Sequence, residues 1–182
     1  MAELQLTKQA AAQRQIDAAI RILFSGEDVV AVHTVVAAAY NVITDLDNKS
    51  GKKALAFYAD ILSDLQNAYP GIPLPKEAAE FRVWFQRNNR SGANFLKHAD
   101  KDSTKALDPS KLSTDLLLLE ACGIYCDLGL KPTREMKAFI RWHLAVYAND
   151  DEDRIVTESG DVSKFSRSEQ LEFGLFLLDA IS

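Results

Sequence analysis

Val29-Val30-Ala31-Val32-His33-Thr34-Val35-Val36-Ala37-Ala38-Ala39-Tyr40 is the stretch that decides the fold class. Wound as a helix, it is apolar nearly all round, and such a helix belongs in the middle of a bundle, covered on most sides. The pattern predicts a helix running roughly from Val29 to Asp47. Ser25-Gly26-Glu27-Asp28 precedes it, stopping one helix and starting the next with Asp28 as N-cap.

Moving outward, the same period recurs. On the N-terminal side, roughly Leu6 to Phe24 repeats Ile16, Ala19, Ile20 and Leu23 at helical spacing. On the C-terminal side, roughly Lys52 to Ala68 carries the stripe Leu55, Tyr58, Leu62, Leu65 and Tyr69, ended by Pro70-Gly71. A fourth helix, roughly Lys76 to Asn88, holds Phe81, Trp84 and Phe85. An Asn-Asn-Arg-Ser-Gly break follows, then a short helical piece at Ala93–Ala99 and a charged loop over 100–112. Thr114 to Leu128 is again strongly apolar. Pro132-Thr133 opens a sixth helix with Met136, Phe139, Ile140, His143 and Val146 on one face. Asn149–Lys164 reads as an acidic loop in which only Ile155-Val156-Thr157 looks extended. Ser166 and Glu169 then form a capping box for a last helix. The expectation is all-α: one domain over residues 1–182, a bundle of six or seven mostly antiparallel helices.

Composition narrows the setting. The 182 residues suffice for one core, and 47% hydrophobic with 26% charged residues is an ordinary globular balance. A net charge of -5 works against nonspecific attraction to nucleic acid or an anionic membrane. The start, MAELQLTKQ, lacks the basic and apolar regions of a signal peptide, and no run reaches the eighteen or so apolar residues of a membrane span. Two cysteines, Cys122 and Cys126, do not make a disulfide scaffold and read as small core residues. A cytoplasmic protein with no membrane partner is expected. The last helix, LEFGLFLLDAI, is too apolar to stand exposed, which points to a homodimer.

The polar constellation that stands out is Asn94-Phe95-Leu96-Lys97-His98-Ala99-Asp100-Lys101-Asp102. Asn94 and His98 are four apart and share a helical face, and Asp100 and Asp102 follow closely enough to fold back on the imidazole. A histidine beside carboxylates has its tautomer fixed and its pKa raised, as a general acid or base needs. The plainer reading makes Asn94 and Asp100 helix caps and His98 a structural residue. His33, within the apolar second helix, reads first as a core histidine that must find a hydrogen-bond partner. The sharper reading has it meet His98 and line one pocket with it. His143 reads as core. No histidine pairs with a carboxylate at the spacing of a bundle metal site, so no metal and no cofactor is expected. Asp150-Asp151-Glu152-Asp153 lacks the alternation and turn glycine of a calcium loop. Between Lys76 and Lys105, seven basic residues stand against four acidic ones, with Trp84, Phe85 and Phe95 interleaved. Such a segment can present a phosphate- or RNA-facing patch, or simply be a solvated face whose aromatics point inward.

Asn94-Phe95-Leu96-Lys97-His98 resembles the core of the motif of HEPN domains, in which an Arg is followed by four to six residues, the first of them often Asn, and then by a His. That resemblance implies a helical, commonly dimeric bundle whose active members are metal-independent ribonucleases with a composite Arg and His site. Ala93 stands where the shortest spacing calls for Arg, and Arg90 lies further upstream, outside the usual window. Val30–Thr34, Asn94–Asp100 and Thr114–Ala121 together resemble a group of bacterial helical proteins, which implies the fold alone. The reading taken is a non-enzymatic helical domain that binds a small ligand or RNA around Asn94, Lys97, His98, Asp100 and Asp102, with Arg90 and His33 as neighbours. The alternative is a HEPN-like ribonuclease with His98 as acid or base and Arg90 in place of the missing cation. A structural protein-interaction module is third.

Overall fold

Helix starts follow the capping residues. The Thr7 hydroxyl accepts from the Ala10 N–H at 3.1 Å and opens α1 (Lys8–Phe24). Asp28 accepts from the Val30 N–H at 2.8 Å and opens α2 (Val29–Ser50). Ser166 and Glu169 form the full capping box of α7 (Arg167–Ala180). Between them lie α3 (Leu55–Ala68), α4 (Ala78–Lys97), α5 (Thr114–Asp127) and α6 (Arg134–Tyr147). Gly26 and Gly129, at φ +73° and +80°, follow α1 and α5 in the left-handed conformation that ends a helix cheaply only at glycine. The computed structural model describes residues 6–50, 55–68, 74–97, 106–147 and 155–181, with part of the side chains of α3 and α4.

The architecture is the expected all-α bundle. α1 and α2 form an antiparallel hairpin, and α5 lies along α2. The α3–α4 pair covers α2 and α5, while α6 and α7 cover α1 and α5. The core joins Ile16, Ile20 and Phe24 of α1, Val36 and Ile43 of α2, Leu117, Leu118 and Ile124 of α5, and Phe139 and Trp142 of α6. By length and composition α2 could cross a membrane. Here it packs as a core helix, with Asp47 ion-paired in its last turns.

Three expectations are corrected. α2 is not the most enclosed helix, because Ala31 and Thr34 face solvent, whereas no residue of α5 is exposed. Its neighbours on both flanks make α5 the centre. The expected break at Asn88–Gly92 is absent, and α4 runs on to Lys97. Gly92 is retained for closeness rather than for a turn: a Cβ there would lie 2.6 Å from Leu112 Cδ2 and 3.1 Å from His33 Nε2. Finally, the acidic loop contains a two-stranded hairpin, Val156–Thr157 against Gly160–Asp161, and a 3-10 turn at Val162–Lys164. The calcium-like run at 150–153 lies outside the described residues.

Candidate functional site

The sequence-derived constellation divides across α4. Gly92 turns inward, where the buried His33 ring abuts it. Asn94 is two residues on, roughly 200° around the helix, and is exposed. Asn94 and His33 therefore line no common pocket. The side chains of Arg90 and Lys97, together with His98, Asp100 and Asp102, lie outside the described residues. His33 Nδ1 is 3.1 Å from the Thr114 hydroxyl, and its Nε2 is buried with no hydrogen-bond partner among the described residues. Burial lowers its pKa below the usual imidazole value, so the ring is neutral.

Sequence reasoning missed a polar network in the core. Glu120 of α5 is fully buried, and its Oε1 accepts from Tyr40 of α2 at 2.6 Å and from Tyr58 of α3. Gln86 of α4 donates to the Tyr58 hydroxyl at 3.2 Å, carrying the chain toward the surface. Beside it, Arg82 of α4 donates to Asp47 at 2.9 Å and to Asn48 at 3.0 Å, with its guanidinium 5.7 Å from the Tyr58 ring centroid. Burial first, and the Glu120 carboxyl second, push both phenols above their ordinary range. Neither phenol will ionise, so the two act as donors and not as bases. The signal in the sequence was a lone Glu inside Leu116–Cys122, since an acid amid leucines must find donors once the helix is buried.

A second cluster joins the helix ends of the C-terminal half. Asp115 accepts from the Tyr147 hydroxyl at 2.7 Å and from Arg167 at 2.9 Å, and Arg167 also lies 5.0 Å over the Trp142 ring. His143, read from sequence as core, is partly buried, with its ring tilted against those of Tyr147 at 4.6 Å and Phe139 at 5.9 Å. Burial pushes its pKa down to about 4, with Asp115 opposing and Arg167 adding to the shift. Both carboxylate oxygens of Asp115 are engaged within the chain, which makes this a clasp.

The basic segment of α4 also resolves into two faces. Arg82 and Phe85 point inward, so Arg82 is withdrawn from the basic surface anticipated between Lys76 and Lys105. Val83, Arg87 and Asn94 face solvent on one stripe, because steps of four and seven residues return to the same side of a helix. Trp84 borders that stripe. Its ring stacks on buried Phe81 at 5.7 Å and 22°, yet 41% of the residue remains exposed. Among the described residues no group of three His, Cys, Asp or Glu is placed to hold a metal ion. No protein-family model, curated protein or solved structure matches the chain.

Proposed function

We propose that this chain is a helical binding domain without catalytic activity, and that the exposed stripe of α4 is its recognition surface. The observation that carries this reading is Trp84, whose ring stacks on buried Phe81 while 41% of the residue remains exposed. A partly exposed indole supported by a second ring is a stacking platform for a planar group. Arg87 and Asn94 extend the stripe with a guanidinium and an amide, the chemistry that takes a phosphate and a base edge. Trp84 and Asn94 are ten residues apart, about 15 Å along the helix, enough to follow two or three nucleotides. Single-stranded RNA is therefore the ligand class that fits. The groups that look most like catalytic machinery, Glu120 and Asp115, are engaged by the protein's own donors, which supports binding over turnover.

The test uses the chain's two tryptophans, since Trp142 is buried and Trp84 is not. Titrating single-stranded RNA oligonucleotides at low salt into a Trp142→Phe variant should quench the remaining indole saturably. Trp84→Ala and Arg87→Ala, both surface changes, should weaken binding, and Arg87→Ala should reduce its salt dependence. An unchanged fluorescence and a free oligonucleotide by anisotropy would overturn the ligand class and the stripe together. Cleavage of the bound RNA without added metal would instead overturn the non-catalytic reading.

A further inference from the structure

Among the described residues, large hydrophobic side chains exposed to solvent are unevenly distributed. Leu144 and Tyr147 of α6, Val156 of the hairpin and Leu175 and Phe176 of α7 form the C-terminal group; none of the others lies on α2, α3 or α5. Phe176 is 63% exposed and stacks on Phe173 at 6.2 Å, so the apolar surface is reinforced from within its own helix. The charges around it are sorted by helix. On the solvent side of α6 lie Arg134, Lys137 and Arg141, and on that of α7 lie Glu169, Glu172 and Asp179; Arg167, the exposed cation at the start of α7, is drawn aside onto Asp115.

Their relative heights follow from the packing. α6 and α7 are neighbours, and Trp142 Nε1 donates to the Gln170 carbonyl at 2.6 Å. With the end of α6 clasped to the start of α7 through Asp115, the two helices run antiparallel. Position 142 is then level with 170, and at equal rise Arg141 stands at the height of Leu171–Glu172 and Arg134 at that of Leu178–Asp179.

We propose that this α6–α7 face docks a second copy of the chain, through a two-fold axis lying in the interface and parallel to the two helices. That axis preserves height and exchanges sides, laying α6 of one copy over α7 of the other. Arg141 then meets Glu172 of the partner subunit, Arg134 meets Asp179 of the partner subunit, and Leu175 and Phe176 are buried at the centre with the stem of Lys137. An axis perpendicular to the helices would lay basic α6 on basic α6 and acidic α7 on acidic α7, which like-charge repulsion disfavours. The sorting of charge by helix is what selects a copy of the same chain: the face carries both halves of its own complement. This interface is separate from the α4 stripe and stands whether or not RNA binds there.

Sedimentation equilibrium of the full chain from 1 to 100 µM should show a monomer–dimer equilibrium. Phe176→Glu should weaken association on the order of a hundredfold. Arg141→Glu should weaken it on the order of tenfold, because the axis applies the change twice. Adding Glu172→Arg to Arg141→Glu should restore it. All three positions are exposed, so at concentrations where the parent is monomeric the far-UV spectra and melting temperatures of all variants should match it and separate lost docking from lost folding. A chain that stays monomeric to 100 µM leaves the face to some other partner and overturns the proposal. A dimer indifferent to Phe176→Glu overturns it by placing the contact elsewhere, and failure of the charge swap to rescue overturns the axis.

Discussion

Glu120 shows how one residue constrains its surroundings. Buried among leucines, it is accommodated because two phenols from different helices donate to it, tying α2 and α3 to α5. Tyr58→Phe should cost about 1–3 kcal/mol in urea denaturation, the range for a hydrogen bond to a buried carboxyl. Arg82→Ala should cost more, about 3–5 kcal/mol, because it removes the cation from a carboxylate whose side chain is 1% exposed. Equal losses for the two variants would show that Asp47 reaches water once Arg82 is gone. The histidines give a pH signature of known sign. The folded pKa values of His33 and His143 are lowered, so below about 6.5 the unfolded chain takes up protons that the native chain refuses. Stability should be full above pH 6.5 and decline toward pH 4, where His143 itself protonates. Asp17, raised by burial, acts the other way from pH 3.8 upward and softens only the acid end. Denaturation midpoints at pH 7, 6 and 5 should fall in that order, and the slope should be shallower in His143→Gln. A midpoint that rises on acidification would contradict the burial of both rings. None of this network was legible in the sequence, because a lone acid or histidine in an apolar run shows that a partner is required without naming it.

At the level of elements, the caps and apolar stripes carried most of the information. Asp28, Pro132-Thr133 and Ser166–Glu169 mark helix starts by local hydrogen bonding, which needs no tertiary knowledge. The sequence around Gly92 predicts a break that α4 does not have, because two opposite uses of glycine look alike in one dimension. A glycine after Asn-Asn-Arg-Ser resembles a helix stop, yet this one admits the His33 ring and Leu112 against the backbone. Gly92→Ala tests the distinction. Helix propensity alone would stabilise by about 1 kcal/mol. Overpacking against a Leu112 methyl at 2.6 Å and an imidazole at 3.1 Å opposes it with about 1–3 kcal/mol, so a net loss is expected. In a Leu112→Ala background the same change should turn neutral or favourable, since the nearest clash is gone. A stabilising Gly92→Ala in the parent would mean that the close approach is not maintained in solution. The candidate site was divided for the same kind of reason. Spacing puts Asn94 and His98 on one face, but only the packing reveals that His33 meets the opposite face.

Across the whole molecule, α5 is the structural link. The sequence placed α2 at the centre because its apolar residues cover the circumference, and α5 has the same character over fewer residues. Which of two such helices is enclosed depends on what flanks them, and among the described residues α5 packs against both the α3–α4 side and the α6–α7 side. That arrangement predicts one cooperative unit. Trp142 reports on the α1–α6–α7 side, where it meets Phe24 and Phe139, while Arg82 and Asp47 secure the α2–α4 contact. If α5 couples the two sides, Arg82→Ala will shift the unfolding curve of Trp142 fluorescence, read in a Trp84→Phe background, as far as it shifts the far-UV helix signal. The two curves should coincide in both the parent and the variant. An α6–α7 side that kept its midpoint while the helix signal fell in two steps would show two weakly joined units instead. The distinction bears on the proposed function, because only a single unit would let the RNA binding proposed for α4 be felt at the α6–α7 face. In that case RNA at saturating concentration should raise the midpoint of both probes equally, by an amount that grows with the logarithm of RNA concentration.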